Sequence, residues 1–321
     1  MTVHIVSVGI SLRDFFEKGH LERTGQLVSS AEEVRDHWKK DKLGLAEGVY
    51  KVTDRLEESF GLGAGVKPPS HNSLASFREL AADVEADKWA FVSGLSAELE
   101  TVRAYNRNMV VDDDLTILLT SDTEDGRACA IWTAIALAKG DVDRVLYLGG
   151  VGQETRLVRP EKGQILVLSV EGLDAQQSGE FERAMEVLGY VARLLVGNRG
   201  RGIDPLLKRQ EKVFFHLSGG YRATVPYLIA TAEWLLSLGH DAQAHVLPEE
   251  AEKSLQIPLR RLPVGMIARE LAVFGEHTAP VVPEGALLEG YAYVRRPPGA
   301  KLTEFGQGMR ILFEEYLESG R

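Results

Sequence analysis

Short, continuously apolar and β-branched runs recur along the chain at residues 3–8, 89–92, 115–119, 145–148, 165–170, 213–217 and 242–247. Runs of this length without polar alternation predict strands buried on both faces. Between them, apolar residues fall at helical spacing over 31–42 (opened by Ser30), 74–85, 97–107, 125–138, 181–195 and 221–238. Alternating strand and helix predicts an α/β fold: a Rossmann-like, mostly parallel sheet with helices on both faces. The turn-rich segment 61–70 reads as a surface loop inside the first crossover. The pattern changes near 258–263. A helix over 264–274, a break at Pro280 and Pro283, a hairpin over 290–303 and a helix over 304–317 follow, in the order of a winged helix. The expected division is a ligand-binding domain over 1–260 and a small winged-helix-like domain over 261–321.

Composition narrows the function classes. Lys and Arg number 37 against 47 Asp and Glu, a net charge of −10, and an acidic balance of this size opposes a surface built for duplex nucleic acid. A local anion site stays open, because a few backbone amides and one cation suffice. The single cysteine, Cys129, lies in an apolar helical run; it cannot form an intrachain disulfide and reads as a buried structural thiol. The N-terminus lacks the features of a signal peptide, and no eighteen-residue apolar run occurs, so a cytoplasmic protein without a membrane span is expected.

Ligands of open parallel sheets sit beyond the carboxyl ends of the strands. Four such ends carry small polar residues: Ser7-Val8-Gly9-Ile10-Ser11, then Ser96-Ala97-Glu98, then Thr120-Ser121-Asp122-Thr123 leading to Gly126-Arg127, and His216-Leu217-Ser218-Gly219-Gly220-Tyr221-Arg222. Ser, Thr and Asp at such junctions are also ordinary helix caps, and Ser96 with Glu98, or Thr120 with Thr123, need be nothing more. The last junction asks for more than a cap. A Gly-Gly pair after a buried strand, then an aromatic and an arginine opening a long helix, suits close approach to an anion. It is not a Walker A loop, and Gly9 opens no dinucleotide fingerprint.

These four segments, in this order, resemble the CRISPR-associated Rossmann-fold (CARF) family, closest to its ring-nuclease group. Val8-Gly9-Ile10-Ser11 stands where that group has Val-Gly-Thr-Ser. Ser96-Ala97-Glu98 matches a frequent Ser-Ala-Glu. The run from Ser121 to Arg127 is similar to its Thr-Asp-Thr-x-x-Gly-Arg turn. His216-Leu217-Ser218-Gly219-Gly220-Tyr221-Arg222-Ala223 is similar to Asn-x-Thr-Gly-Gly-Phe/Tyr-Lys-Ala. The likeness covers about residues 1–260, and its last motif is the most specific.

The resemblance implies a two-fold homodimer that binds a cyclic oligoadenylate, cyclic tetra-adenylate above all, across its axis. It also implies cleavage of the ring with no metal and no cofactor. A ribose 2′-hydroxyl attacks the neighbouring phosphorus and leaves a 2′,3′-cyclic phosphate. By this likeness Ser11 and Arg222 take the catalytic positions. Ser218, Gly219 and Gly220 form a phosphate cradle. Gly9, Ile10, Ser96, Glu98, Thr120, Ser121, Asp122, Thr123, Arg127, His216 and Tyr221 contact the ligand.

Two departures matter. Arg222 replaces the family's lysine and keeps the charge without giving up a proton near neutral pH. His216 replaces its asparagine; it could move a proton near pH 7 or be a plain strand-end histidine.

No effector chemistry stands out elsewhere. Arg13 with His20, and Arg209 with His216, have the spacing of HEPN-type ribonucleases but lie outside a C-terminal helix. Asp112-Asp113-Asp114 reads as a solvated turn, and no zinc-binding pattern occurs. Arg295-Arg296 at the wing could touch DNA, but the following helix is too acidic to favour it. The alternative to a ring nuclease is a non-catalytic sensor of the ring acting through its tail.

Overall fold

The computed structural model describes residues 2–9, 49–51, 96–106, 113–138, 144–174, 178–220, 222–248, 251, 253–274, 280, 282 and 285–319. The strand expected at 89–92, the helices expected at 31–42 and 74–85, and the loop at 61–70 lie outside these residues, as do Ile10, Ser11 and Tyr221.

In chain order the described elements are β1 (Thr2–Ser7), β2 (Val49–Lys51), α1 (Ala97–Asn106), β3 (Leu115–Ser121), α2 (Glu124–Leu137), β4 (Val145–Leu148), β5 (Ile165–Val170), α3 (Ser178–Val196), β6 (Lys212–His216), α4 (Val225–Ser237), β7 (Asp241–Val246), β8 (Leu255–Ile257), α5 (Val264–Leu271), β9 (Tyr293–Arg296), β10 (Gly299–Leu302), α6 (Glu304–Leu312) and α7 (Glu314–Ser319). The fold is α/β. One eight-stranded sheet has the order β2-β4-β5-β3-β1-β6-β7-β8. Its six central strands are all parallel, and β2 and β8 pair antiparallel at the two edges. No described helix is long and apolar enough to cross a membrane.

The register assigns the two sheet faces, because partners in adjacent parallel strands share a face and neighbours along a strand do not. One face is aliphatic: Val3 and Ile5 of β1, Ile117 and Leu119 of β3, Leu166 and Leu168 of β5, Val213 and Phe215 of β6, all at most 2% exposed. Helices α3 and α4 cover it and continue the same core through Met185, Val191, Trp234 and Leu235. The other face carries His4, Thr116, Thr120, Tyr147, Ser169, His216 and His245. Tyr105 of α1 and Arg127 of α2 meet this polar face.

The helix expected over 221–238 begins instead as a single 3-10 turn, Arg222–Thr224, and becomes α-helical at Val225. Pro226, in the first turn, explains the onset, since its missing N–H costs nothing there. The last expected helix divides at Phe313 into α6 and α7.

After β8 the chain is fastened to α4. The Arg260 guanidinium grips the Glu233 carboxylate at 2.9 Å through two nitrogens, and Leu262 N–H donates to Ser237 Oγ at 2.9 Å. The tail then folds as α5, the β9–β10 hairpin, α6 and α7. Glu270 is its internal anchor, accepting the N–H groups of Leu287 and Leu288 at 2.9 Å and the Tyr293 hydroxyl at 3.0 Å. Helix α6 lies along α3 closely enough that a Cβ on Gly308 would stand 2.8 Å from the Met185 carbonyl oxygen. Met266, Leu271, Tyr293, Met309 and Phe313 of the tail belong to the same core as the aliphatic sheet face.

Candidate functional site

Strands β2 to β5 all lie on one side of β1 in the sheet, and β6 to β8 lie on the other. The carboxyl ends of β1 and β6 therefore flank the point where the winding reverses, where a doubly wound sheet opens a crevice. The glycine-bearing turns meet there. A Cβ on Gly9 would lie 3.0 Å from Gly220 Cα, so the two backbones touch. Gly220 has φ +86°, a conformation that favours glycine, and a Cβ there would fall 2.0 Å from Ser7 Oγ. That Ser7 hydroxyl is buried and has no hydrogen-bond partner among the described residues.

Glu98 closes this junction. It stands in the first turn of α1, whose amino end is capped by Ser96 Oγ accepting from Leu99 N–H at 3.2 Å. Glu98 Oε1 accepts the Gly9 N–H at 2.8 Å and the Gly220 N–H at 3.1 Å. The residue is 1% exposed, and its side chain fills the space beside Gly219, where a Cβ would lie 2.3 Å from Glu98 Cγ. The expectation that Gly220 offers its amide directly to phosphate is thereby corrected: in this structure that N–H is bound to the chain's own carboxylate, which the helix end and two amides stabilise there.

The other sequence candidates fall into place around this point. Ser218 Oγ accepts the Leu247 N–H and ties the β6 turn to the end of β7. Thr123 is the cap of α2, accepting from Gly126 N–H at 3.2 Å, and Ser121 Oγ lies 2.7 Å from Thr123 Oγ1. Asp122 is exposed and accepts the Gly172 N–H at 3.3 Å. Thr120 is fully buried, with no partner for its hydroxyl among the described residues. Arg127 and Ser169 lie beside the Tyr147 hydroxyl, whose proton burial holds more tightly than usual. Arg222 is exposed at the start of the 3-10 turn and makes no hydrogen bond or ion pair among the described residues.

His216 proves to be a different kind of residue from a ligand contact. It is fully buried, and its Nε2 lies 3.0 Å from His4 Nδ1. His4 Nε2 in turn lies 3.3 Å from Asp114 Oδ2. Burial first, then the neighbouring His4 and His245, push the His216 pKa well below the ordinary imidazole value, so it is neutral at pH 7. Rings of Tyr105, Phe214 and His245 pack around the pair. The cause is the register: position 216 shares the polar sheet face with positions 4 and 245, beneath α1.

Asp114 is likewise not the solvated turn residue expected. It accepts the Thr2 N–H at 2.6 Å as well as facing His4, and these bonds hold its carboxyl below the usual range against the opposing effect of burial. His4, Tyr105 and His245 were not among the sequence candidates; Ser7 was noted only as part of the β1 end, and Asp114 only as part of an acidic turn. The available signal was a histidine in each of three buried strands at positions that share one face.

Among the described residues, no group of three or more His, Cys, Asp or Glu is placed to hold a metal ion. Among the described residues, the junction brings together a half-buried glycine turn, a buried carboxylate and exposed polar residues at the end of β3, with Arg222 exposed two residues beyond Gly220. No protein-family model and no curated protein sequence matches this chain.

Proposed function

We propose that the chain is a CARF-like protein that binds a cyclic oligoadenylate, cyclic tetra-adenylate in the first instance, across a two-fold homodimer and cleaves it without metal. The carrying observation is the meeting of the β1 and β6 turns over the α1 amino end, with Arg222 exposed beside them. Three of the four segments that resemble the family converge there, and the fourth ends the adjacent strand β3.

In this reading Arg222 clamps a phosphate in a bidentate fork and stabilises the charge that develops on phosphorus. By the family resemblance Ser11 orients the same group, and Ile10 and Tyr221 contact the ligand. Asp122 and Thr123, at the exposed end of β3, border the adenosine pocket. The ring's own 2′-oxygen forms the new P–O bond, the bond to the 5′-oxygen breaks, and the 2′-hydroxyl proton passes to that leaving oxygen through solvent. In-line geometry, held by the protein, supplies much of the rate. Arginine acts here as a cation only, since it does not deprotonate near neutral pH.

A second reading, a sensor that binds the ring intact, is favoured by one feature. His216 is buried and neutral, and Glu98 is committed to two amides, so neither presents a proton-transfer group to the crevice. The tail, in either reading, is a winged-helix-like module with a structural or dimerising role. Its wing arginine Arg295 is paired with Glu289 at 2.8 Å, which leaves little for DNA. Incubation with labelled cyclic tetra-adenylate in EDTA separates the readings. Linear di-adenylate ending in a 2′,3′-cyclic phosphate supports cleavage; a bound but intact ring supports the sensor; no binding removes both.

A further inference from the structure

Two backbone N–H groups from neighbouring strand ends converge on one oxygen of Glu98. Convergent amides of this kind form a concave anion site. Two further features belong to such a site. Gly219 and Gly220 leave no room for a Cβ, and Ser7 Oγ, 1% exposed and without a hydrogen-bond partner among the described residues, lies against Gly220. The oxyanion that fills it belongs to the chain itself.

We propose that Glu98 is a specificity-determining residue: its carboxylate occupies an oxyanion hole formed by Gly9 and Gly220 and so keeps small single anions, such as inorganic phosphate or a mononucleotide, out of the switch-point crevice. A lone phosphate meets a hole already filled by a carboxylate oxygen. A ligand with several phosphates spreads its contacts over Arg222 and its surroundings and tolerates the repulsion. The two roles of Glu98 separate chemically. Its oxygen fills the hole and holds the two turns, which is what excludes a competing anion, whereas its charge only adds repulsion. This inference concerns the crevice itself and does not require the ligand to be an adenylate ring.

The test is a titration of the full chain, labelled with ¹⁵N-glycine, with inorganic phosphate at constant ionic strength. In wild type the Gly9 and Gly220 amide resonances stay in place. In Glu98→Ala both move saturably at millimolar phosphate. In Glu98→Gln, which keeps an acceptor for both amides, they again stay in place. Movement in wild type, or stationary resonances in a folded Glu98→Ala, overturns the proposal. Thermal unfolding gives an independent reading where Glu98→Ala is too unstable to titrate. Phosphate or acetate, compared with chloride at equal ionic strength, restores folding or raises Tm in Glu98→Ala and not in wild type. An equal response in both proteins, or none in either, overturns the proposal. Failure of ring binding, by contrast, would leave these outcomes unchanged and would count only against the adenylate reading.

Discussion

A methyl group at position 220 would have to enter the space of the Ser7 hydroxyl and hold φ +86°, so Gly220→Ala combines a steric and a backbone penalty. Together these cost at least about 2 kcal/mol. Gly219→Ala meets the Glu98 stem but has no positive φ to hold, and so destabilises less. Denaturant titration of the two variants checks the order, and equal losses would contradict the packing described here.

The buried imidazoles give a pH prediction with a definite sign. His216, His240 and His245 all have pKa values lowered by burial. The unfolded chain takes up protons below about pH 6.5 that the folded chain refuses, so stability falls as pH drops through that value. Each such histidine contributes a slope of about 1.4 kcal/mol per pH unit. Asp114 is held down, and its contribution is lost only lower, as pH falls through its folded pKa. Unfolding free energies at pH 7.0 and 5.5 should differ in this direction, and His216→Phe should reduce the difference by roughly one proton's worth. An unchanged slope would show that His216 titrates normally.

At this scale the sequence was only half legible. Ser96 and Thr123 behave as the caps their types suggest, and Cys129 is the buried thiol expected. What Glu98 does was not readable, because its partners Gly9 and Gly220 stand 89 and 122 positions away along the chain.

Among the elements, β4 and β5 match their expected bounds residue for residue, the other expected strands of the large sheet that are described shift by one or two positions, and the short antiparallel edge strands β2 and β8 were not expected. Fully buried parallel strands announce themselves as unbroken apolar runs, which is why they could be read. Strand order could not, since it depends on which crossover passes over which face. The polar sheet face was hidden for a related reason: one histidine in an apolar run is unremarked until register places three such strands side by side. The close approach of α3 and α6 is also nonlocal, with Gly189 and Gly308 at its centre. Gly308→Ala should push α6 off α3, cost about 1–3 kcal/mol, and expose the tail to protease before the sheet unfolds. A tail that remains as resistant as in wild type would contradict that contact.

Over the whole molecule, the alternation of strand and helix was enough to expect an α/β fold. The tail's apolar residues join the core of the sheet rather than one of their own. With a net charge of −10, the protein has no global attraction for a polyanion, so binding of one depends on a few placed cations. Arg222 is the foremost of these. The most direct measurement is calorimetric titration of cyclic tetra-adenylate into wild type and Arg222→Ala. One ring bound per two chains, with the heat abolished or affinity reduced at least about a hundredfold in the variant, is the expected result. No heat in wild type, or equal affinity in the two proteins, would contradict the placement of the ring at this crevice.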